Sequence, residues 1–245
     1  MMSAACALPA STEQPVPSDP GQWTIEYAVS GGIAFNVHYV RVARDGALTA
    51  GDRRLGMEVA GRAPDDLMTR LTAFLKTAPD ARKTAPMPDA IGTSIVVTSA
   101  GRKRELEPAP EIAAAMESAW SDAVTRAIAG SWTQSGWRLC NPAAQLTADE
   151  TDTPIDDLTF RDDGTFDVTW PGGGARPTYR GRYTLNPRFG MIQVSAAPAT
   201  TPPRDFAGDG SFQIAQRQLT LKRVWLGTRK APRRPDICEL TFTRK

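Results

Sequence analysis

Histidine is almost missing from this 245-residue chain, with His38 the single example. That scarcity leaves little for acid–base catalysis near neutral pH or for a histidine-based metal site. His38 lies between Val37 and Tyr39 in a strand-like run, which suits a solvated or hydrogen-bonded structural side chain better than a general base. The motifs of common chemistries are missing too. There is no His-Glu-x-x-His helix, no Gly-x-Ser-x-Gly elbow, no phosphate-binding glycine loop followed by Lys and no Cys-x-x-Cys pair. The sequence therefore assigns no catalytic residue, no metal ligand and no cofactor, and the expectation is a binding protein, not an enzyme. No hydrophobic run is long enough to cross a membrane. An excess of one charge is lacking as well: 29 Lys and Arg stand against 27 Asp and Glu, for a net +2. That balance argues against a dedicated nucleic-acid binder.

What is present is the make-up of an ordinary soluble protein, 41% hydrophobic and 23% charged, in a chain long enough for two packed domains. The run from Trp23 to Val42 holds two strand-like segments around Gly31-Gly32. Ile25, Tyr27 and Val29 alternate with Thr24, Glu26 and Ala28, so one face can meet a core while the other stays more polar. The glycine pair suits a tight reversal. Arg44-Asp45-Gly46-Ala47 marks a further turn. Ala63-Pro64-Asp65-Asp66 opens a helix, with Leu67, Leu71, Phe74 and Leu75 on one apolar stripe. The Pro79 to Pro88 stretch ends that helix. Ile91, Ile95 and Val97 begin another strand pair that turns at Ser99-Ala100-Gly101, and Glu111 to Ile128 reads as a second helix. Strand, strand, helix, strand, strand, helix is the order of an α+β domain over residues 22–129.

At Ala129-Gly130-Ser131-Trp132 helical patterning gives way to β patterning. Asp157 to Phe160 and Thr165 to Trp170 form a hairpin around Asp162-Asp163-Gly164. Short strands follow at Tyr179 to Leu185, Met191 to Ser195, Ser211 to Ile214, Leu219 to Trp225 and Ile237 to Phe242. Residues 130–245 thus read as an all-β antiparallel barrel or strongly curved sheet. Phe160, Phe166, Tyr183, Phe212 and Trp225 either line a cavity in it or close it. Gly172-Gly173-Gly174 reads as a hairpin loop.

Charge is uneven between the halves: residues 22–129 hold 13 basic and 13 acidic side chains, residues 130–245 hold 16 and 12. The basic set Arg217, Lys222, Arg223, Arg229, Lys230, Arg233 and Arg234 is either a solvated surface or a patch for an anionic envelope ligand or acidic partner. Asp149, Glu150, Asp152, Asp156, Asp157, Asp162 and Asp163 lack the alternating ligands of a calcium loop and read as a solvated acidic segment.

Cys140 follows the first strand-like run of the second half and Cys238 sits in the last. First and last strands of a closed sheet are neighbours, so the two are either a disulfide or two buried thiols. A disulfide implies an oxidising compartment such as the periplasm or the cell exterior. Met2-Ser-Ala-Ala-Cys6-Ala-Leu-Pro-Ala-Ser resembles the end of a bacterial export signal. Cys6 is then either a lipidation site or part of a small-residue site for ordinary signal cleavage. Residues 1–21 read as export remnant and flexible tether, rich in Pro, Ser, Thr and Gln from Pro9 to Pro20.

The glycine hairpin, the helix after it, the later strand pair and the closing helix together resemble the emfourin family, small bacterial proteins related to an inhibitor of thermolysin-like metalloproteases. The resemblance covers residues 22 to about 125. It implies that Gly31, Gly32, Ile33, Ala34 and Phe35 form a contact loop for a metalloprotease, with Ile33 and Phe35 as apolar anchors. Phe35 and Asn36 stand where many relatives carry a small residue and another glycine. In the second half, Gly130-Ser131-Trp132, the Phe160 to Phe166 segment and Gly181-x-Tyr183 resemble a lipocalin-like domain of exported bacterial proteins. That resemblance implies that Trp132 plugs one barrel end and that Arg244 packs across it. Two functions stand open at this point: an exported protease inhibitor acting through residues 22–129, or a small-molecule, lipid-binding or cell-envelope accessory protein acting through the barrel. Contact with a membrane is expected only through a lipid anchor.

Overall fold

The computed structural model describes residues 22–31, 38–81, 91–141, 154–171, 178–198, 200, 202, 206–227 and 237–245. The first two strands, β1 (Trp23–Ser30) and β2 (His38–Ala43), pair antiparallel with Val29 opposite His38 and Ile25 opposite Val42. Their alternation sends Trp23, Ile25, Tyr27, Val29, Val40 and Val42 inward, all of them buried.

Two strands then follow that the strand, strand, helix order omits: β3 (Ala47–Asp52) and β4 (Met57–Arg62). Their inward positions are Leu48, Ala50 and Asp52, then Met57 and Val59, all buried. Small residues and an acid at those positions give little of the β-branched and aromatic signal by which a strand is recognised. What makes them strands is pairing in register with β2, Ala50 against Val40 and Asp52 against His38.

The helix α1 (Asp65–Thr77) begins after Pro64 with Asp65 and Asp66 in its first turn, where acids oppose the positive helix end, and buries Leu67, Leu71 and Phe74. β5 (Gly92–Ser99) and β6 (Arg102–Leu106) form a hairpin through Ala100 and Gly101, both at positive φ. The helix α2 (Pro110–Ile128) starts on a proline, whose missing N–H costs nothing there, and buries Ile112, Met116, Ala119, Trp120, Val124 and Ile128. The six strands lie in the order β4-β3-β2-β1-β5-β6, all antiparallel, and α2 packs on β2, β3 and β4.

From residue 130 the chain forms a meander of eight strands: β7 (Gly130–Leu139), β8 (Asp157–Phe160), β9 (Thr165–Thr169), β10 (Thr178–Asn186), β11 (Met191–Ala196), β12 (Asp209–Ala215), β13 (Gln218–Lys222) and β14 (Ile237–Arg244). Each pairs antiparallel with the next, and β14 pairs with β7, so the barrel closes and leaves no edge. The protein is mostly β, an eight-stranded antiparallel barrel plus six further strands, with two helices among the described residues. β13 ends at Lys222, short of the expected Trp225. Arg223 takes φ 63°, which breaks the strand, and Trp225 instead forms a bridge with Ala207.

Aromatic rings fill much of the barrel interior. Phe160 stands 4.8 Å from Tyr183 and 6.1 Å from Phe166, Phe166 meets Tyr179 at 6.0 Å, and Tyr179 meets both Trp170 and Phe206. Phe160, Phe166, Tyr183, Phe212 and Trp225 are all buried. Cys140 and Cys238, 98 positions apart in sequence, are joined in a disulfide across the β7–β14 seam.

The two sets of strands meet through the parallel pairing of Ala215 with Glu58, through the Gln213 side-chain amide, which donates to the Gly56 carbonyl at 3.2 Å, and through α2, which meets both the short turn Pro187–Phe189 and, at its end, the start of β7. The Trp132 indole N–H donates to the Ile128 carbonyl at 2.8 Å, and the Arg244 guanidinium donates to the carbonyls of Ala127 and Ala129. Those acceptors are the carbonyls a helix end leaves unpaired. The Arg244 guanidinium carbon lies 5.2 Å from the centre of the fully buried Trp132 ring. Gly130, at φ 130°, lets it approach: a Cβ there would stand 2.8 Å from an Arg244 nitrogen.

Candidate functional site

The β1–β2 hairpin carries the candidate contact loop, and its root is fixed by buried polar groups. Tyr27 on β1 and His38 on β2 both face α2, where they meet Glu117. The Tyr27 hydroxyl donates to Glu117 Oε1 at 2.8 Å, and His38 Nε2 lies 2.7 Å from the same oxygen. An ionised carboxylate only accepts, so the His38 proton is assigned to Nε2. The His38 ring lies 4.7 Å from Trp120 in a tilted contact, and the Trp120 indole N–H donates to the Gly51 carbonyl of β3 at 3.0 Å. His38 is 3% exposed and Asp52, opposite it in the β2–β3 register, is 1% exposed. One Asp52 oxygen accepts the Leu55 N–H at 2.9 Å, and the other is buried with no hydrogen-bond partner among the described residues.

The electrostatics follow from this geometry. Burial pushes the Glu117 carboxyl up, but hydrogen bonds from His38 and Tyr27 and the charge of Arg188 outweigh it, leaving the carboxyl below its ordinary value. Tyr27 moves the other way, raised by burial and by its bond to the Glu117 anion. On the opposite face Tyr39 is pushed up to about 12, by burial and by its 2.6 Å bond to Glu58. Arg41 and Arg53 lie over its ring at 5.8 and 5.3 Å. The polar atoms that meet at Glu117 are bonded to one another. Their arrangement makes a clamp between β1, β2 and α2.

Of the expected contact residues, Gly31 ends the β1 segment at φ 106°, in the region glycine favours. Gly32, Ile33, Ala34 and Phe35 lie outside the described residues, as does Cys6. The acidic segment does not gather: Asp163 accepts the Thr165 N–H within its own turn, and Asp157 stands 3.6 Å from Lys245. Asp149, Glu150 and Asp152 lie outside the described residues. So do Gly172, Gly173 and Gly174 and, from the basic set, Arg229, Lys230, Arg233 and Arg234. Lys222 pairs with Glu239 at 3.5 Å, and Arg217 donates to the Arg244 carbonyl at 3.1 Å. Among the described residues no group of three or more His, Cys, Asp or Glu is placed to hold a metal, and no helix is long and apolar enough to cross a membrane.

Sequence reasoning reached His38 but not its partners. Glu117, Trp120 and Asp52 carry no motif, and only the fold brings Glu117 to a histidine 79 positions earlier. Comparisons with models of known protein families, with characterised proteins and with solved structures find no match to this chain.

Proposed function

We propose that this is an exported, non-enzymatic binding protein that inhibits thermolysin-like metalloproteases through its first half. Residues 22–129 act as an emfourin-like α+β domain, residues 130–245 as a lipocalin-like β domain, and Gly31 to Phe35 as the contact loop. The observation that supports this reading best is the Tyr27–Glu117–His38 clamp. It ties both strands that flank the loop in sequence to α2. A loop on a fixed base loses less entropy on docking, the property a tight inhibitor needs. The disulfide fits an oxidising compartment, the periplasm or the cell exterior, with the chain either lipid-anchored at Cys6 or released by cleavage beside it. The test is binding of Ile33→Ala and Phe35→Ala to a protease that the parent chain inhibits. At least a tenfold loss with an unchanged circular dichroism spectrum is the expected result. Full binding by both variants removes the loop from the mechanism.

A closed eight-stranded meander favours a second reading, small-molecule or lipid binding by the barrel. Its buried aromatic chain leaves less interior room for such a ligand. An apolar fluorescent probe displaced by extracted envelope lipids would support this reading over the first.

A further inference from the structure

A cleft of about 170 Å³ opens where α2 and β4 meet the β12–β13 turn. Three arginines from three elements line it: Arg62 at the end of β4, Arg126 on α2 and Arg244 at the end of β14. No carboxylate is among its lining residues. We propose that this cleft binds a phosphate-type oxyanion and thereby ties the sheet-and-helix half to the barrel. The inference is independent of the inhibitor reading.

The three cations differ in how they are held. Arg244 is immobilised by the Ala127 and Ala129 carbonyls and by the Trp132 ring, so its charge is pre-positioned. It also covers the carbonyl end of α2, which would otherwise repel an anion. Arg62 is exposed, and its side chain has no ion pair or hydrogen bond among the described residues. Arg126 stands 3.8 Å from Asp122, one helical turn away, with both side chains more than half exposed. Like charges around one cleft repel, Asp122 offsets only the Arg126 charge and does so in solvent, and an oxyanion between the three offsets the rest. Guanidinium groups suit it because their paired N–H donors match two oxygens of one phosphate. Ala119, Ala123 and Ala127 line one wall and keep it open. The volume is well above the roughly 10–15 Å³ that one ordered water needs on the same measure.

The phosphate can come from a small soluble molecule or from a phospholipid headgroup. The test is calorimetric titration of the full chain with inorganic phosphate at constant ionic strength, repeated with Arg62→Ala, Arg126→Ala and the double variant. Alongside it, phosphatidylglycerol vesicles are compared with phosphatidylcholine vesicles. Saturable phosphate binding by the parent, at least tenfold weaker in each single variant and lost in the double, is the expected result. Both arginines are exposed, so the thermal midpoint in chloride should not move. Binding to phosphatidylglycerol that inorganic phosphate displaces assigns the site to a headgroup, and phosphate binding without vesicle binding assigns it to a soluble phosphate. An absence of saturable phosphate binding, vesicle binding that phosphate does not displace, or phosphate binding retained by the double variant overturns the proposal.

Discussion

Glu117 joins three elements of the first half through one oxygen, and its removal strands two buried donors. With Glu117→Ala, the buried His38 and Tyr27 side chains lose their shared charged acceptor, a carboxylate that is itself part-buried. Hydrogen bonds to charged groups contribute about 1.5–3 kcal/mol each, so urea denaturation should show a loss of about 2–3 kcal/mol. The pH dependence follows from the same residue. Its folded pKa lies below the unfolded value, held there against burial by His38, Tyr27 and Arg188, with Asp52 the other acid beside His38. The clamp's stabilisation is thus complete above the ordinary carboxylate pKa, near 4.3, and is lost as pH falls through the lower folded value. The stability gap between the parent and Glu117→Gln should hold from pH 7 to about 5 and shrink below pH 4. A gap that stays constant down to pH 3 would show that the carboxylate is not held in its charged form. At this scale the sequence is least legible. His38 stands out by being alone, whereas Glu117 is one of several acids in a helical stretch and nothing local links the two.

Elements were easier to read where burial alternates with large residues. β1, β2, the β5–β6 hairpin and both helices follow from period-two and helical spacing, as do the barrel strands from Asp157 to Thr169. β3 and β4 escape because Ala47-Leu-Thr-Ala-Gly-Asp52 is short and built from small residues, so its strand character is imposed by β2 beside it. Two elements of the second half carry predictions of their own. The disulfide joins the end of β7 to β14 and closes a 98-residue separation. Replacing both cysteines with alanine should lower stability by up to about 4–5 kcal/mol on the chain-entropy model, measured against the parent in guanidinium. An unchanged midpoint would mean that the unfolded barrel is already restrained. Arg244→Ala frees the carbonyls at the end of α2 and uncovers Trp132. A loss of about 1.5–3 kcal/mol is expected, with faster amide exchange in the last turn of α2 and at the start of β7. Exchange unchanged in both places would remove Arg244 from the junction.

Across the whole molecule, six antiparallel strands with two helices and a closed eight-stranded barrel meet at a seam bridged by one parallel pairing, β4 with β12. Regularly spaced strands left a barrel and a strongly curved sheet both open; the β14–β7 pairing closes the barrel, and the Cys140–Cys238 bond joins the same two strands. The seam's packing was not legible. It depends on helix-end carbonyls meeting Trp132 and Arg244, groups separated by 117 positions at the widest. The proposed inhibition requires the first half to present its loop, on a clamped base, to a thermolysin-like metalloprotease. The most direct measurement is titration of a panel of such proteases with the intact chain, following residual peptide hydrolysis. At least one enzyme should lose activity linearly and reach zero near one equivalent. Activity unchanged across the panel at a tenfold excess of the chain would contradict it.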